Sequence, residues 1–271
     1  MPLSTCEVVQ GPEHASPGAL PLILVHDGGG TTFGYHCLDP LRRPVYGIAN
    51  PHFESGAPWP GGLEEMASLY ADMVRATIAS PDFPRRAGRA RVLLGGWSFG
   101  GMLSLHMAWL LRDDPDIEVV GLLLVDTPLP VRDEKKTPPA APVPPPTVGA
   151  EGKPLRRNEV LALQAMGAAR DMIQAWTMPN WTASKTPLPP AVLVRAKGVV
   201  PEKDPGATAA VDRSRSDPKL GWCAWEGHDL VREVVDVEGH HYDIFTFARV
   251  SATSTGIKKA CAVLESFGAA A

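Results

Sequence analysis

Between residues 92 and 111 the chain changes its apolar period with almost no linker. Residues 92–97 read as a buried strand, residues 100–111 read as a helix rich in Leu, Met and Ala, and only Ser98 and Phe99 lie between them. A backbone that passes from strand to helix in two residues must turn sharply. Glycines at 96, 100 and 101 remove the side chains that would crowd such a crossing. The string Gly96-Trp97-Ser98-Phe99-Gly100 is thus a G-x-S-x-G nucleophile elbow, which pushes the serine hydroxyl out of the backbone. The helix start beside it offers unpaired amides and a positive dipole end, suited to a developing negative charge. The competing reading is a tight βα turn with an incidental serine.

The remaining elements set the fold class. Residues 22–26 form a compact apolar run that feeds Asp27-Gly28-Gly29-Gly30, a strand followed by a glycine-rich loop. Thr31 and Thr32 could cap a helical turn near Phe33. Short strands are expected at 7–10 and 45–49. Apolar positions 63, 66, 69, 70, 73, 74 and 78 follow a helical rhythm, and Pro81 and Pro84 end it. Residues 119–125 are a nearly unbroken apolar run, as an interior parallel strand requires. Further strands are expected at 191–196 and 234–237, with a closing helix over 254–267. The alternation predicts βαβ units and an α/β fold, a mostly parallel central sheet covered by helices on both faces; the nucleophile elbow set in it fits an alpha/beta-hydrolase fold.

One segment breaks the pattern. Pro128 to Pro154 holds nine prolines, including Pro144-Pro145-Pro146, and cannot be sheet or continuous helix. An amphipathic helix over 158–177 follows. The expected organisation is a first core part (1–128), a proline-rich and helical lid insertion (129–189) and a second core part (190–271).

A serine at an elbow needs an oxyanion hole, a base and an acid. The Phe99 amide supplies one oxyanion donor, and Gly28 or Gly29 supplies the other. A phosphate-cradling role for the same loop is disfavoured, because it lacks G-x-G-x-x-G spacing and a P-loop lysine. The base belongs late in the chain, where Glu238-Gly239-His240-His241-Tyr242 offers two adjacent histidines that the pattern alone does not separate; His228 is a third option. His106, within the elbow helix, reads as a surface or packing residue. Asp126, at the carboxyl end of an apolar strand, is favoured as the acid over Asp204 and Asp212, which lie in more polar stretches.

Bulk properties exclude several classes. A net charge of −4 without a basic stripe gives nucleic-acid binding no support. No run approaches the roughly 20 apolar residues of a membrane span. The early apolar run at 20–25 is short, interrupted by Pro21 and has no basic leader. Four widely spaced cysteines without a C-x-x-C pair fit a reduced, cytoplasmic setting. Adjacent histidines in extended backbone point opposite ways, so no metal or cofactor site is expected.

Taken as a set, Asp27-Gly28-Gly29-Gly30, Gly96-Trp97-Ser98-Phe99-Gly100-Gly101, Asp126-Thr127-Pro128 and Gly239-His240-His241-Tyr242 resemble the thioesterase domains of fungal non-reducing polyketide synthases, and also the release domains of nonribosomal peptide synthetases. The resemblance covers residues 20–130 well and 190–250 loosely. It selects His241 over His240 and implies a Ser98–His241–Asp126 triad. It further implies transfer of a polyketide-like acyl chain to Ser98 from the phosphopantetheine of an acyl carrier protein or polyketide synthase. Release would follow by water, by lactonisation or by Claisen cyclisation. The proline-rich first half of the insertion departs from the family, whose lids are usually helical throughout. The acyl pocket is expected beneath the insertion, lined by Tyr35, Trp97, Met172, Trp176 and Trp181. Two other readings fit the same scaffold: a carboxylesterase or lipase acting on free esters, and a non-catalytic hydrolase-fold binding protein.

Overall fold

The computed structural model describes residues 5–85, 88–130, 146–148, 152–201, 206, 208–225 and 228–269. Seven strands form one sheet: β1 (Glu7–Gln10), β2 (Leu22–Val25), β3 (Val45–Ile48), β4 (Ala90–Trp97), β5 (Ile117–Val125), β6 (Ala191–Ala196) and β7 (Val231–Val237). Their order is β1-β3-β2-β4-β5-β6-β7, with β1 antiparallel to β3 and every other pair parallel. The helices are α1 (Phe33–His36), α2 (Gly62–Ala79), α3 (Phe99–Leu111), α4 (Arg157–Ala175) and α5 (Val250–Ala269). This is the α/β architecture that the alternating pattern predicts.

The central strands are apolar throughout because both faces are covered. In β2 all four side chains are buried; Ile23 and Val25 join the core under α2 and α3, while Leu22 and Leu24 join the core under α5. On the first face Met66, Tyr70 and Leu103 pack against Leu94 and Leu122. On the second, Ile257, Ala260, Cys261 and Leu264 cover Leu93, Val192 and Val194.

The strand order locates the site. The chain leaves β2 toward β3, returns over β2 through α2 to β4, and then proceeds the other way to β7. The loops that leave β2 and β4 therefore diverge at the carboxyl edge of the sheet, where a crevice opens. The elbow helix α3 crosses β2 at very short range. A side chain at Gly100 would place its first carbon 2.3 Å from the Val25 carbonyl oxygen, and one at Gly101 would meet Thr127 Oγ1 at 2.2 Å. Only glycine fits there.

The connection from β5 to β6 carries α4, whose Met172 and Ala169 are buried against the body of the fold. Most of the proline-rich stretch, 131–145 and 149–151, lies outside the described residues. No helix among the described residues is long and apolar enough to cross a membrane.

Candidate active site

Ser98 is the first non-helical residue before α3 and adopts φ 55°, ψ −115°. A side chain in that region is strained by about 1–3 kcal/mol. The turn is held from both sides: Ser98 N–H donates to the Val125 carbonyl at 2.9 Å, and the Gly101 N–H donates to the Ser98 carbonyl at 3.1 Å. Asp126, one residue beyond β5, is also left-handed, with φ 43°. That backbone twist follows a strand hydrogen bond from Asp126 N–H to the Val194 carbonyl (2.7 Å), and the Asp126 side chain is fully buried.

His241 lies in the turns between β7 and α5. Its Nδ1 is 2.8 Å from Asp126 Oδ2, and both side chains are buried, 2% and 0% exposed. Nδ1 paired to a carboxylate carries the proton, so Nε2 is the nitrogen left to act as a base. Ser98, His241, Trp97, Phe99, Gly28 and Asp27 all border one cavity of about 550 Å³. No hydrogen bond joins Ser98 Oγ to His241 among the described residues; serine–histidine contacts are often long before substrate binds.

His240 points elsewhere. Its Nδ1 accepts from Tyr242 N–H at 3.2 Å, and its Nε2 lies 3.6 Å from Asp243. His228 packs on Trp225, at 4.3 Å between ring centres. His106 is buried and accepts a hydrogen bond from Trp176 Nε1 at 3.0 Å, which makes it a packing residue beneath α4 rather than a surface one.

Asp126 has a partner that no local pattern announces. Arg215 grips it with two bonds, Nη1 to Oδ1 at 2.6 Å and Nη2 to Oδ2 at 2.8 Å, while Ala196 N–H donates to Oδ1 at 2.8 Å. The guanidinium, 7% exposed, also donates to Asp212 (2.9 Å) and to the Ala196 carbonyl (2.9 Å). Burial by itself would raise the Asp126 carboxyl, but the hydrogen bonds from Arg215 and His241 outweigh it and hold the group below the ordinary carboxylate range. Asp212 thus pairs with Arg215 and not with the histidine, and Asp204 lies outside the described residues. Arg215 sits in the polar run Asp212-Arg213-Ser214-Arg215-Ser216-Asp217, whose charges look solvated until the fold buries the Asp212 and Arg215 side chains.

The loop after β2 is set from below. Burial pushes His26 down to about 4, so its ring is neutral. Its Nδ1 faces the Asp27 carbonyl and its Nε2 meets Tyr70 Oη at 2.7 Å, which fixes one tautomer. Asp27 borders the cavity, and burial raises its carboxyl to about 6 against the opposing effects of the Gly29 amide and His241.

Several expected roles are corrected by this geometry. Gly29 N–H donates to Asp27 Oδ1 at 3.0 Å, so it is committed within the loop; Gly28 is the glycine that borders the cavity. Tyr35 does not line the pocket. Its hydroxyl donates to the Val25 carbonyl at 2.6 Å and accepts from Trp97 N–H at 2.9 Å, tying the ends of β2 and β4 together behind the elbow. Trp176 is buried between α4 and α3 through its bond to His106. Trp181 packs edge-on to Trp109, 5.2 Å between ring centres, beside a different cavity. Trp176 and Trp181 hold the connection between β5 and β6 against α3. Trp97 does border the Ser98 cavity, 5.7 Å from the His241 ring, whereas Met172 borders a neighbouring cavity.

Comparisons with known proteins identify the family. The thioesterase-domain family profile matches residues 20–254. Thioesterase frbD of Dothideomycetidae sp. (strain 11243) is 36% identical over 256 residues, covering 91% of this chain and 90% of that protein. Probable thioesterase BOA10 of Botryotinia fuckeliana (strain B05.10) is 34% identical over 254 residues, covering 92% and 86%. Among solved structures, the NocB thioesterase domain, in covalent complex with a fluorophosphonate nocardicin G analogue, aligns with a TM-score of 0.60 at 27% identity, covering 92% of this chain and 96% of that one. With a profile match across most of its length and an elbow, acid and histidine gathered at the carboxyl edge of a mostly parallel sheet, the chain belongs to the thioesterase domain family.

Proposed function

We propose that this thioesterase takes an acyl group from a carrier-protein phosphopantetheine thioester onto Ser98 and then releases it to water or to a nucleophile within the acyl chain. The observation that carries the reading is the buried Asp126–His241 pair at 2.8 Å, whose histidine borders the same cavity as Ser98. His241 Nε2 takes the Ser98 proton as Oγ attacks the thioester carbonyl. Asp126 holds the ring and stabilises the imidazolium that forms, and Arg215 keeps Asp126 ionised and in place. The Phe99 and Gly28 amides receive the oxyanion, each donor worth about 2–4 kcal/mol in the transition state. Collapse expels the thiol, to which His241 returns the proton. In the second half-reaction His241 activates water for hydrolysis, a substrate hydroxyl for lactonisation, or a carbon acid for Claisen closure. The same three residues serve each outcome.

The test uses carrier-linked and cysteamine-linked acyl thioesters alongside soluble esters of the same acids. Accumulation of an acyl-enzyme on Ser98 and faster turnover of the carrier-linked substrates are expected, and product mass separates hydrolysis from cyclisation. Turnover that survives Ser98→Ala in clean protein sinks the mechanism, and preference for free esters points to a carboxylesterase instead.

A further inference from the structure

The glycines that follow β2 let the loop approach a substrate oxygen, and they also leave its peptide planes free to turn. A glycine rotates with little steric penalty, and a flip of the Asp27–Gly28 peptide would put a carbonyl oxygen where an oxyanion needs an N–H. Two of the three glycine amides are committed within the loop. Gly29 N–H donates to Asp27 Oδ1 at 3.0 Å, and Gly30 N–H donates to the Asp27 carbonyl at 3.1 Å. Gly28 N–H has no partner among the described residues, and Gly28 borders the Ser98 cavity.

The carbonyl end of that same peptide plane is held from beneath. His26 Nδ1 lies 2.5 Å from the Asp27 carbonyl oxygen, and His26 Nε2 lies 2.7 Å from Tyr70 Oη. A carbonyl oxygen only accepts, so Nδ1 carries the ring proton. A neutral imidazole has one such proton, so Nε2 accepts and the Tyr70 hydroxyl donates. Both side chains are buried, 2% and 0% exposed, and the His26 ring also packs near Phe99, 6.2 Å between centres. The Asp27–Gly28 peptide bond is trans, which sets its C=O and N–H on opposite sides of the chain. With the oxygen held down on His26, the Gly28 N–H is turned away from that ring.

We infer that Tyr70 and His26 are positioning residues for the oxyanion hole: Tyr70 fixes the His26 tautomer, His26 pins the Asp27 carbonyl, and the shared peptide plane thereby aims the Gly28 N–H at the developing oxyanion. This inference rests on the acyl-transfer reading above and adds two residues outside the triad, one of them on α2. Hydrogen bonds in series polarise one another, so the chain from Tyr70 also strengthens Gly28 as a donor.

The test compares Tyr70→Phe, His26→Phe and His26→Asn with the parent, each checked for a cooperative melting transition. An octanoyl cysteamine thioester reports kcat and KM. An alkyl trifluoromethyl ketone, whose adduct with Ser98 carries an oxyanion and is followed by fluorine NMR, reports oxyanion binding. His26→Phe should lower kcat and ketone affinity together by about 100-fold with KM little moved, since a misaimed donor is missed only when the oxyanion forms. Tyr70→Phe should cost about fivefold in both, the worth of one ordinary hydrogen bond. Asparagine places an N–H where histidine has Nδ1, so His26→Asn should recover most of the His26→Phe loss. In that background Tyr70→Phe should have no further effect on kcat. If His26→Phe does not fold, the loss in Tyr70→Phe and its disappearance beside His26→Asn carry the same decision. Lower melting temperatures with kcat and ketone affinity unmoved, or equal losses in His26→Asn and His26→Phe, overturn the inference and leave acyl transfer intact. Ketone affinities in the expected order, on a protein that turns over no thioester, uphold the positioning role and overturn the acyl-transfer reading. Neither adduct nor thioester turnover in the folded parent overturns both.

Discussion

Replacement of Arg215 by methionine is the most informative single perturbation, because it separates support of the acid from the acid itself. Asp126 accepts four hydrogen bonds: from Arg215 twice, from Ala196 N–H and from His241. The substitution removes the two charge-assisted ones and leaves a fully buried carboxylate with two partners. Bonds to charged groups contribute about 1.5–3 kcal/mol each, and breaking a buried ion pair from one side costs about 3–5 kcal/mol. A loss of about 4 kcal/mol is therefore expected at neutral pH, lowering the melting temperature by on the order of 10 °C. The pH dependence carries a sign. Asp126 is held below its unfolded-state value, so its contribution is complete above the ordinary carboxylate range and is lost as pH falls through the folded value. Without Arg215, burial dominates, the carboxyl rises, and acid unfolding should begin at a higher pH than in the parent. Urea unfolding followed by circular dichroism at neutral pH, with an acid titration of both proteins, measures both effects. An unfolding free energy within about 0.5 kcal/mol of the parent, together with an unchanged acid midpoint, would refute the claim that Arg215 sustains the ionised acid.

Three further outcomes are accessible. Ser98→Gly should abolish acyl-enzyme formation yet raise thermal stability by about 1 kcal/mol, since glycine adopts φ 55° without strain; a less stable variant contradicts the strained elbow. Asp27→Asn should stabilise the protein by up to about 3 kcal/mol at pH 7 and have little effect below pH 4. A carboxyl raised to about 6 binds its proton more tightly in the folded state, so stability falls as pH rises through that window; equal pH–stability curves for the two proteins would oppose this. Burial pushes the Cys6 and Cys261 thiols up to about 11, whereas Cys223 is exposed and Cys37 half-buried. A disulfide reagent near pH 8 should therefore modify Cys223 first and Cys37 next, with Cys6 and Cys261 reacting only on unfolding.

Local chemistry made much of this molecule legible in its sequence. The elbow is written there because a turn that tight leaves room only for glycine at 100 and 101, and the central strands are written as apolar runs because both faces of the sheet are covered. The edge was harder to read. β7 begins at Val231, three residues before its apolar run, because an edge strand keeps Arg232 and Asp236 in solvent. Sequence position alone also placed Asp126 at a strand end, where acids of such sites gather.

Contacts between distant segments decided the rest. Nothing local distinguishes His241 from His240; the fold does, by turning one ring onto Asp126, 115 residues away in sequence, and the other toward Asp243. Arg215 looks like one solvated charge among several until tertiary burial sets it against a carboxylate 89 residues distant. Tyr35 and Trp176 have the amphipathic character of pocket residues, yet each has its polar atom claimed by a buried acceptor, and so each became part of the frame. Sequence by itself determined which residue could be a nucleophile, because strand, glycine and helix are short-range properties. Only the tertiary structure decided which charges support Asp126 and which cavity Ser98 borders, because burial and pairing depend on segments that meet only when the sheet is complete.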